Sequence, residues 1–380
     1  MKKRFLAVGL LAAALAFTWQ ALTVHYNYGG NWTALFCTGG NLLVPPDLAK
    51  ENIHLFPNSS GYDGQFYHYL AHDPFLQRGF DKFMDAPRLR YRRILVPAAA
   101  YLLAGGQDRF VDAAFISVIL FSVFLGVWWL SRYAGLQGWH PAWGLGFLLV
   151  PATVISIDRM TIDLTLAALT VGFALYARLE ETWKVWAVLC CAALTRETGI
   201  LLLAGYVAYL LWRRRFAWAA FSATAATPVL TWYAYVYPRT IGDLSINLPG
   251  LQRRVFTPRM LLTAQYDLPD VLARTLRTLD WLVIAGIALA FVLTLWFALR
   301  RPEPESFAGL MYALMLLPTV LLVSLHDPYT YPRIISPLLV LVALQGISGK
   351  VRLGLLPLVL VLLRPAVQLG PQVLGVLRGL

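Results

Sequence analysis

Charged residues are scarce in this chain, since Lys, Arg, Asp and Glu together make up 14% of its 380 residues, against about 25% in an ordinary soluble domain. Hydrophobic residues account for 58%, and they are clustered in runs of about 12 to 25 residues separated by short polar segments. Runs of this length need a lipid bilayer to cover them. We therefore predict one all-α membrane domain, a polytopic bundle of transmembrane helices with no soluble appendage.

The chain also lacks the motifs of several protein classes. It contains no P-loop, no dinucleotide-binding fingerprint and no serine-hydrolase elbow, and its three cysteines, Cys37, Cys190 and Cys191, do not have the spacing of a metal or redox motif. The formal net charge is +12, but no basic stripe interleaved with aromatic residues is present, so nucleic acid is not expected as a partner. We assign the positive surplus to cytoplasmic loop anchors and to contacts with anionic substrates or lipid headgroups.

Positive residues set the predicted topology. A cluster of basic residues at positions 2–4 precedes an apolar stretch from Phe5 to about Val24, which we interpret as an uncleaved first helix whose N-terminus lies in the cytoplasm. Basic residues within 213–215, 300–301 and 350–352 are further inner anchors. Together with the first helix they predict about eleven spans, the others lying near residues 109–131, 141–157, 162–178, 184–195, 199–212, 216–236, 280–299, 306–325, 333–348 and 352–370.

This topology divides the single domain, residues 1–380, into parts. They are a first helix (1–25), an outer loop with juxtamembrane helices (26–108), a helical core (109–237), a second outer loop (238–280) and C-terminal helices (281–380). The apolar segment 94–104 is too short to cross roughly 30 Å of hydrocarbon, so we predict a juxtamembrane or re-entrant helix there. Four polar motifs then share the outer side and are expected to converge on one site: residues 61–65, 158–163, 195–198 and 326–333.

The densest polar motif covers residues 61–74. An accessible carboxylate at Asp63 can act as a general base toward an acceptor hydroxyl, and its neighbours Tyr62 and Gln65 are predicted to bind substrate. The alternative is a turn that docks an interfacial helix through its aromatic residues. Asp73 precedes a proline, so it is predicted either to bind substrate or to support a turn.

Two histidines in the same motif, His68 and His72, are spaced i to i+4. This spacing is compatible with metal binding, but we predict a solvated helix face instead. The sequence supplies no specific set of metal ligands. The alternative that carboxylates hold a divalent ion, which then neutralises a lipid phosphate, stays open.

Arginines near the short apolar segment 94–104 are predicted ligands for an anion. Arg90, Arg92 and Arg93 lie on the side where topology does not require positive charge. Since arginine binds phosphate bidentately, we expect them to hold the phosphate of a lipid carrier. The alternative is snorkelling to lipid headgroups.

Ionisable residues also lie at the ends of predicted helices deeper in the chain. Such residues are expensive at membrane depth and mark either function or tight mutual pairing. Those that we predict to bind substrate are Arg159, Asp163, Arg196, Glu197, His326 and Arg333.

Several of these segments form a distinctive set: residues 61–67 (GYDGQFY), Asp73 with Pro74, residues 90–95 (RYRRIL) and residues 194–199 (LTRETG). Together they resemble a family of bacterial membrane proteins related to GT-C glycosyltransferases, whose better-known members include protein O-mannosyltransferases and the lipid A aminoarabinose transferase. In that superfamily the first outer loop carries a catalytic aspartate, and a polyprenyl-phosphate sugar is the donor. The resemblance implies that Asp63 is this aspartate and that Asp163 lies at the sugar site. The chain departs from the best-studied members because it lacks a paired Asp-Asp or Asp-Glu at the first motif.

The sequence therefore predicts an inverting glycosyltransferase with a GT-C-like fold, located in the bacterial cytoplasmic (inner) membrane with its site facing outside. Its partners would be a polyprenyl-phosphate-linked sugar donor, the lipid bilayer, and a glycan, lipid or protein acceptor. The alternatives are a transporter or flippase of a lipid-linked sugar and a non-catalytic protein of envelope polysaccharide assembly. Transporters often bind their substrates at mid-bilayer, whereas the polar motifs of this chain lie at helix ends and in a long outer loop. This difference favours the enzyme over the transporter.

Overall fold

The computed structural model describes residues 2–240, 269–322 and 329–379, and within these ranges the chain is mostly helical. The strands in these ranges are the two-residue segments β1 (Thr38–Gly39) and β2 (Leu55–Phe56), which pair in parallel. The predicted all-α class is therefore confirmed.

Most helices follow one another closely, but a long connection separates Tyr28 from Asp63. In the first range they are α1 (Lys2–Tyr28), α2 (Asp63–His72), α3 (Pro87–Arg92), α4 (Leu95–Leu103), α5 (Asp108–Leu136), α6 (Pro151–Arg159), α7 (Asp163–Arg178), α8 (Thr182–Thr195), α9 (Ile200–Trp212), α10 (Phe216–Ala223) and α11 (Thr227–Val236). In the other two ranges they are α12 (Asp270–Arg300), α13 (Pro304–Leu322), α14 (Thr330–Gly349), α15 (Leu356–Gln368) and α16 (Gly370–Gly379).

Several helices are suited to a bilayer. Among the described residues, α1, α5, α12 and α14 are long and apolar enough to cross a membrane. The number rises from 4 to 6 if two bent pairs each form one span: Pro141–Leu149 with α6, bent by 62°, and Arg352–Gln368 with α16, bent by 52°. Shorter apolar helices cover Thr182–Thr195, Glu197–Trp212 and Pro304–Leu317. The chain is thus a membrane-embedded helical protein, whereas the count of eleven spans stays a prediction.

Some boundaries differ from the predicted ones. The second outer loop, predicted for residues 238–280, gives way to α12 already at Asp270. Pro269 precedes this helix, and an acidic residue in the first turn is favourable at the positive end of the helix dipole. Because the first turns of α12 contain polar residues, hydropathy alone does not predict this part of the helix. Residues 241–268 of the predicted loop lie outside the described residues.

Two short helices bear on the predicted topology. Helix α4 has 9 residues and is about 14 Å long, too short to cross the hydrocarbon, as predicted for residues 94–104. The span predicted for residues 216–236 is divided into α10 and α11 by a 3₁₀ turn at Thr224–Ala226.

Helices α7 and α14 form the centre of the bundle. Nearly every residue of both is buried, and they pack against each other while α7 also packs against α5 and α8. A helix that is apolar all round lies in the core of a large helical domain. Because Asp163 starts α7 and Arg333 lies in the first turn of α14, the two central helices carry opposite charges to the same end of the bundle.

A separate ion cluster lies at the other end of the same two helices. Arg178 Nε donates to Glu305 at 2.6 Å and to the hydroxyl of Tyr133 at 2.8 Å, and its Nη2 donates to Ser348 Oγ at 2.8 Å. Between Asp163 and Arg178 a helix rises roughly 22 Å, a large part of the approximately 30 Å of a hydrocarbon core. The two charged clusters are therefore separated along the helix axes, as the predicted alternation of loops requires.

Candidate functional site

Glycines determine where α2 begins. A Cβ at Gly64 would lie 2.4 Å from the carbonyl oxygen of Arg159 and 2.8 Å from that of Phe36. Gly61 has a φ of +73°, the left-handed region that favours glycine. The start of α2 thus lies directly against the end of α6, which fixes the position of Asp63, the first residue of α2.

Asp63 lies between two arginines. Its Oδ1 is 2.9 Å from Nη2 of Arg90, and its Oδ2 accepts a hydrogen bond from Nη2 of Arg333 at 2.5 Å. Burial alone would raise the pKa of Asp63, but the guanidinium groups of Arg333 and Arg90 outweigh it and hold the pKa well below its usual range. The carboxylate is therefore ionised at neutral pH, and 19% of the side chain remains exposed.

Arg333 also reaches a second carboxylate. Its Nη1 donates to Oδ2 of Asp163 at 3.2 Å, and Oδ1 of Asp163 accepts from Nη1 of Arg196. Asp163 is only 2% exposed. Three segments that are distant in sequence, the starts of α7 and α14 and the connection after α8, meet at these atoms.

The arrangement continues through Glu197. Nε and Nη2 of Arg93 donate to its two carboxylate oxygens at 2.9 and 2.6 Å, and Nη1 of Arg93 donates to the hydroxyl of Tyr67 at 2.9 Å. Nε of Arg196 lies 3.8 Å from the same carboxylate. Arg196 therefore joins Asp163 to Glu197.

At the other end, Arg90 forms a bidentate pair with Asp85, with distances of 2.9 and 2.8 Å. All these contacts form one series, which we call the ion-pair chain: Asp85, Arg90, Asp63, Arg333, Asp163, Arg196, Glu197 and Arg93. It alternates four acids with four arginines, so its formal charges cancel. Pairing offsets the cost of several kcal/mol per ion that burial of an isolated charge carries.

Two arginines of the ion-pair chain retain an unused donor. Nε of Arg333 and Nε of Arg196 are buried and have no hydrogen-bond partner among the described residues. A buried donor without an acceptor costs about 1–3 kcal/mol. The oxygen of an anionic ligand would remove this cost, so the centre of the ion-pair chain is suited to an anion.

Aromatic rings border the same arginines. The ring of Tyr62 lies 4.7 Å from the guanidinium carbon of Arg333 and 5.4 Å from that of Arg159. Arg159 also lies 4.0 Å from the ring of Tyr329 and donates to its hydroxyl at 2.9 Å. Tyr62 and Arg159, both predicted to bind substrate, thus lie at the edge of the ion-pair chain.

Two other predicted binding residues make structural contacts. The side-chain amide of Gln65 donates to the carbonyl oxygen of Ser60 at 2.8 Å and accepts from the backbone N–H of Gly39 at 3.1 Å. The carboxylate of Asp73 accepts backbone N–H groups of the following turn, including that of Gln77 at 2.7 Å. For Asp73 the structure thus supports the turn alternative.

Of the remaining predicted residues, Arg92 is described by the structure and is not part of the ion-pair chain. The guanidinium carbon of Arg92 lies 5.7 Å from the ring of Tyr233, and His326 lies outside the described residues. Sequence reasoning missed Asp85 and Tyr67. An acid close before an arginine cluster is a usable signal for Asp85, whereas nothing distinguishes Tyr67 from its aromatic neighbours.

A second polar cluster lies further along α2. His68 and His72 are 0% and 1% exposed, so the predicted solvated helix face is wrong. Because α2 packs against the start of α5, Nε2 of His68 lies 2.6 Å from Oδ1 of Asp112, and Nδ1 of His72 lies 2.9 Å from Oδ1 of Asp108. The spacing of the two aspartates, again i to i+4, is the signal that sequence reasoning missed.

The described residues also form a partly open apolar cavity of about 160 Å³. Its lining is apolar, with Phe147, Val171 and Val340 among the contributors, and includes no member of the ion-pair chain. The cavity therefore offers nothing to bind a charged group.

No protein-family model, curated protein or solved structure matches this chain. The GT-C resemblance stays a prediction, and the geometry of the ion-pair chain is the basis for assigning a function.

Proposed function

We propose that this protein is a glycosyltransferase that moves a sugar from a polyprenyl-phosphate carrier to an acceptor, with inversion, on the outer face of the bacterial cytoplasmic membrane. The observation that carries the proposal is the position of Arg333, whose guanidinium group joins Asp63 to Asp163 at one end of the two central helices. A transferase of this kind needs a base for the acceptor and cations for the leaving phosphate within reach of each other. The ion-pair chain contains both kinds of group.

The arginines are suited to the leaving phosphate. A planar guanidinium binds two phosphate oxygens at once, and Arg333 and Arg196 each have a buried Nε without a hydrogen-bond partner among the described residues. Every carboxylate of the ion-pair chain is already bonded to an arginine, which leaves no set of free oxygens for a divalent ion. Among the described residues of the ion-pair chain, the arginines are therefore the groups that we propose to neutralise the phosphate.

Asp63 is the base in this proposal, and donor binding activates it. With Arg90 and Arg333 both in contact, its pKa is held far below neutral, and a general base works best when its pKa lies near the operating pH. A phosphate that draws Arg333 away removes part of that depression. The pKa of Asp63 then rises toward its usual range, so the base becomes effective only when the donor is in place.

The chemical step is a single displacement. The bond between the anomeric carbon and the carrier phosphate breaks, and the acceptor oxygen bonds to that carbon from the opposite face. The acceptor proton passes to Asp63, and the bonding electron pair leaves with the polyprenyl phosphate. One base and a good leaving group suffice, so no covalent enzyme intermediate forms.

Asp163 acts as a positioning residue. The resemblance implied that it contacts the sugar, but it is almost fully buried and both of its oxygens are bonded to arginines. We assign it the role of orienting Arg333 and Arg196 toward the phosphate.

The direct test uses purified protein in lipid, given polyprenyl-phosphate hexoses and an envelope extract as the source of acceptor. Release of free carrier phosphate is measured for the wild type and for Asp63→Asn. Since a positioned general base contributes about 10²–10⁴-fold, we expect release to fall at least 100-fold. The matched control is Asp47→Asn, which removes an acid that is 53% exposed and lies outside the ion-pair chain; its activity should equal that of the wild type.

Other outcomes select other functions. Undiminished turnover by Asp63→Asn would overturn the assignment of the base. Movement of the donor across the bilayer without release of carrier phosphate would favour a transporter or flippase. If the protein neither released carrier phosphate nor moved the donor, and if envelope assembly were unaffected by Asp63→Asn, the result would favour a non-catalytic assembly protein.

A further inference from the structure

The histidines and aspartates between α2 and α5 form two matching pairs. His68 and His72 lie one turn apart on α2, and Asp108 and Asp112 lie one turn apart at the start of α5. Both imidazole rings are fully buried, whereas the side chains of Asp112 and Asp108 are 28% and 38% exposed. A small ion can therefore reach the rings from the side of the carboxylates.

The spacing of the nitrogen and oxygen atoms is that of a ligand set. Nε2 of His68 lies 3.2 Å from Nε2 of His72 and 2.6 Å from Oδ1 of Asp112, and ligand atoms of the three residues all lie within 4.8 Å of one another. Around a tetrahedral zinc ion with bonds of about 2.0–2.1 Å, neighbouring ligand atoms are about 3.3 Å apart. The two imidazole nitrogens are already at this separation, whereas Oδ1 of Asp112 lies about 0.7 Å closer to Nε2 of His68 than such an ion requires.

The second nitrogen of His72 orients the ring for this role. Nδ1 lies 2.9 Å from Oδ1 of Asp108, and Asp108 in turn accepts from Arg78 Nη1 at 2.8 Å. With Nδ1–H donating to the carboxylate, Nε2 of His72 carries a lone pair and faces His68. Metal-binding histidines characteristically donate their other ring N–H to a carboxylate in this way, which fixes the tautomer.

We propose that His68, His72 and Asp112 bind a divalent transition-metal ion of the zinc class, with one further position open to water. Two imidazoles and one carboxylate favour such an ion over magnesium or calcium, which prefer oxygen ligands alone. The bound ion links α2 to α5. This inference does not rest on the proposed transfer reaction, since none of the three ligands belongs to the ion-pair chain.

Zinc binding to the full-length protein, purified in detergent without a polyhistidine tag and stripped with a chelator, tests the proposal. Titration of the wild type with zinc alone should reach one equivalent per chain, measured by elemental analysis after desalting. Cobalt(II) in place of zinc should give the visible absorption bands of a tetrahedral site with nitrogen and oxygen ligands. We expect His72→Ala to lose both the bound equivalent and the cobalt absorption bands, and Asp108→Asn to weaken affinity about 10–100-fold.

The matched control is His25→Ala, which removes an exposed histidine at the end of α1 and should retain one equivalent. A wild type that retains less than a tenth of an equivalent, or that retains as much zinc as His72→Ala, would overturn the proposal. Size-exclusion chromatography checks separately that each variant is folded, and a folded variant should elute as a single symmetric peak. If His72→Ala fails this check, the wild-type stoichiometry and cobalt spectrum decide the question by themselves.

Discussion

Arg333 is the link whose removal tests the ion-pair chain most directly. Its Nη atoms contact Asp63 at 2.5 Å and Asp163 at 3.2 Å, and the residue is 3% exposed. Removing one partner of a buried ion pair costs about 3–5 kcal/mol because the other charge is left uncompensated. Since Asp63 keeps Arg90 and Asp163 keeps Arg196, we expect Arg333→Gln to lower the free energy of unfolding by the lower part of this range, about 3 kcal/mol.

The assay is equilibrium unfolding in mixed detergent micelles. Arg333→Lys should give an intermediate loss, because an ammonium keeps the charge but lacks the planar fork that reaches two carboxylates. Arg215→Gln is the control, since Arg215 forms an exposed pair with Glu180 at 3.5 Å and such pairs contribute only about 0–1 kcal/mol.

A double-mutant cycle separates the ion pair from general effects of burial. In the pair Arg333→Gln and Asp163→Asn, each single substitution removes the same contact, so the combined cost should fall short of the sum by about 0.5–3 kcal/mol. Strict additivity, or a cost for Arg333→Gln as small as that for Arg215→Gln, would refute the reasoning.

Three further predictions address the surroundings of Asp63. Gly64→Ala places a Cβ 2.4 Å from a backbone oxygen, so it should lower the free energy of unfolding by about 1–3 kcal/mol. The control is Gly146→Ala, whose Cβ has nothing within 4 Å and which should leave the unfolding midpoint unchanged. Equal midpoints for the two variants would contradict the packing at Gly64. Because the folded-state pKa of Asp63 lies below its unfolded value of about 3.9, its contribution to stability is complete above about pH 5 and is lost as the pH falls. Unfolding midpoints between pH 7 and pH 3 should therefore decline more steeply in the wild type than in Asp63→Asn, and equal slopes would count against the ion pairs. Tyr62→Phe should bind a polyprenyl-phosphate sugar as the wild type does, as measured by fluorescence titration. Tyr62→Ala should bind it about two- to fivefold more weakly, because the ring next to Arg333 is lost. Equal affinities for the two variants would show that Tyr62 is not part of the binding site.

The sequence contains enough to predict the helical class and the meeting of distant motifs, because apolar runs and basic anchors obey the physics of the bilayer. Counting loops placed Asp63, Asp163, Arg196 and Arg333 at one end of the bundle, and the structure brings all four into contact. The pairing order is not predictable in this way, since it depends on side-chain directions set by the packing of α7 and α14.

Burial of polar residues was the weaker part of the prediction. His68 and His72 read as a solvated face when α2 is considered alone, because the acids that cover them lie on α5. Similarly, Asp73 and Gln65 are polar residues in a dense motif, and only the backbone groups around them reveal that they hold the loop together. Local patterns thus indicate which residues are unusual, and tertiary packing determines whether they face a substrate or the protein.

Asp63 and the histidine pair lie on the same helix, α2. A metal bound to the histidines can therefore affect the proposed transfer reaction, and kinetic measurements can test this effect. Helix α2 has 10 residues, and its packing against α5 contributes to the position of Asp63, the base in the proposed transfer reaction. The arginines proposed to bind the donor phosphate lie elsewhere, on α3, on α14 and after α8. Since a shift of about 1 Å in a catalytic group can cost roughly 100-fold in rate, removal of the metal should lower turnover while leaving donor affinity unchanged. A chelator that weakened donor binding as much as turnover would instead place the metal at the phosphate, and a chelator without effect on either would show that α2 is held in position by its protein contacts alone.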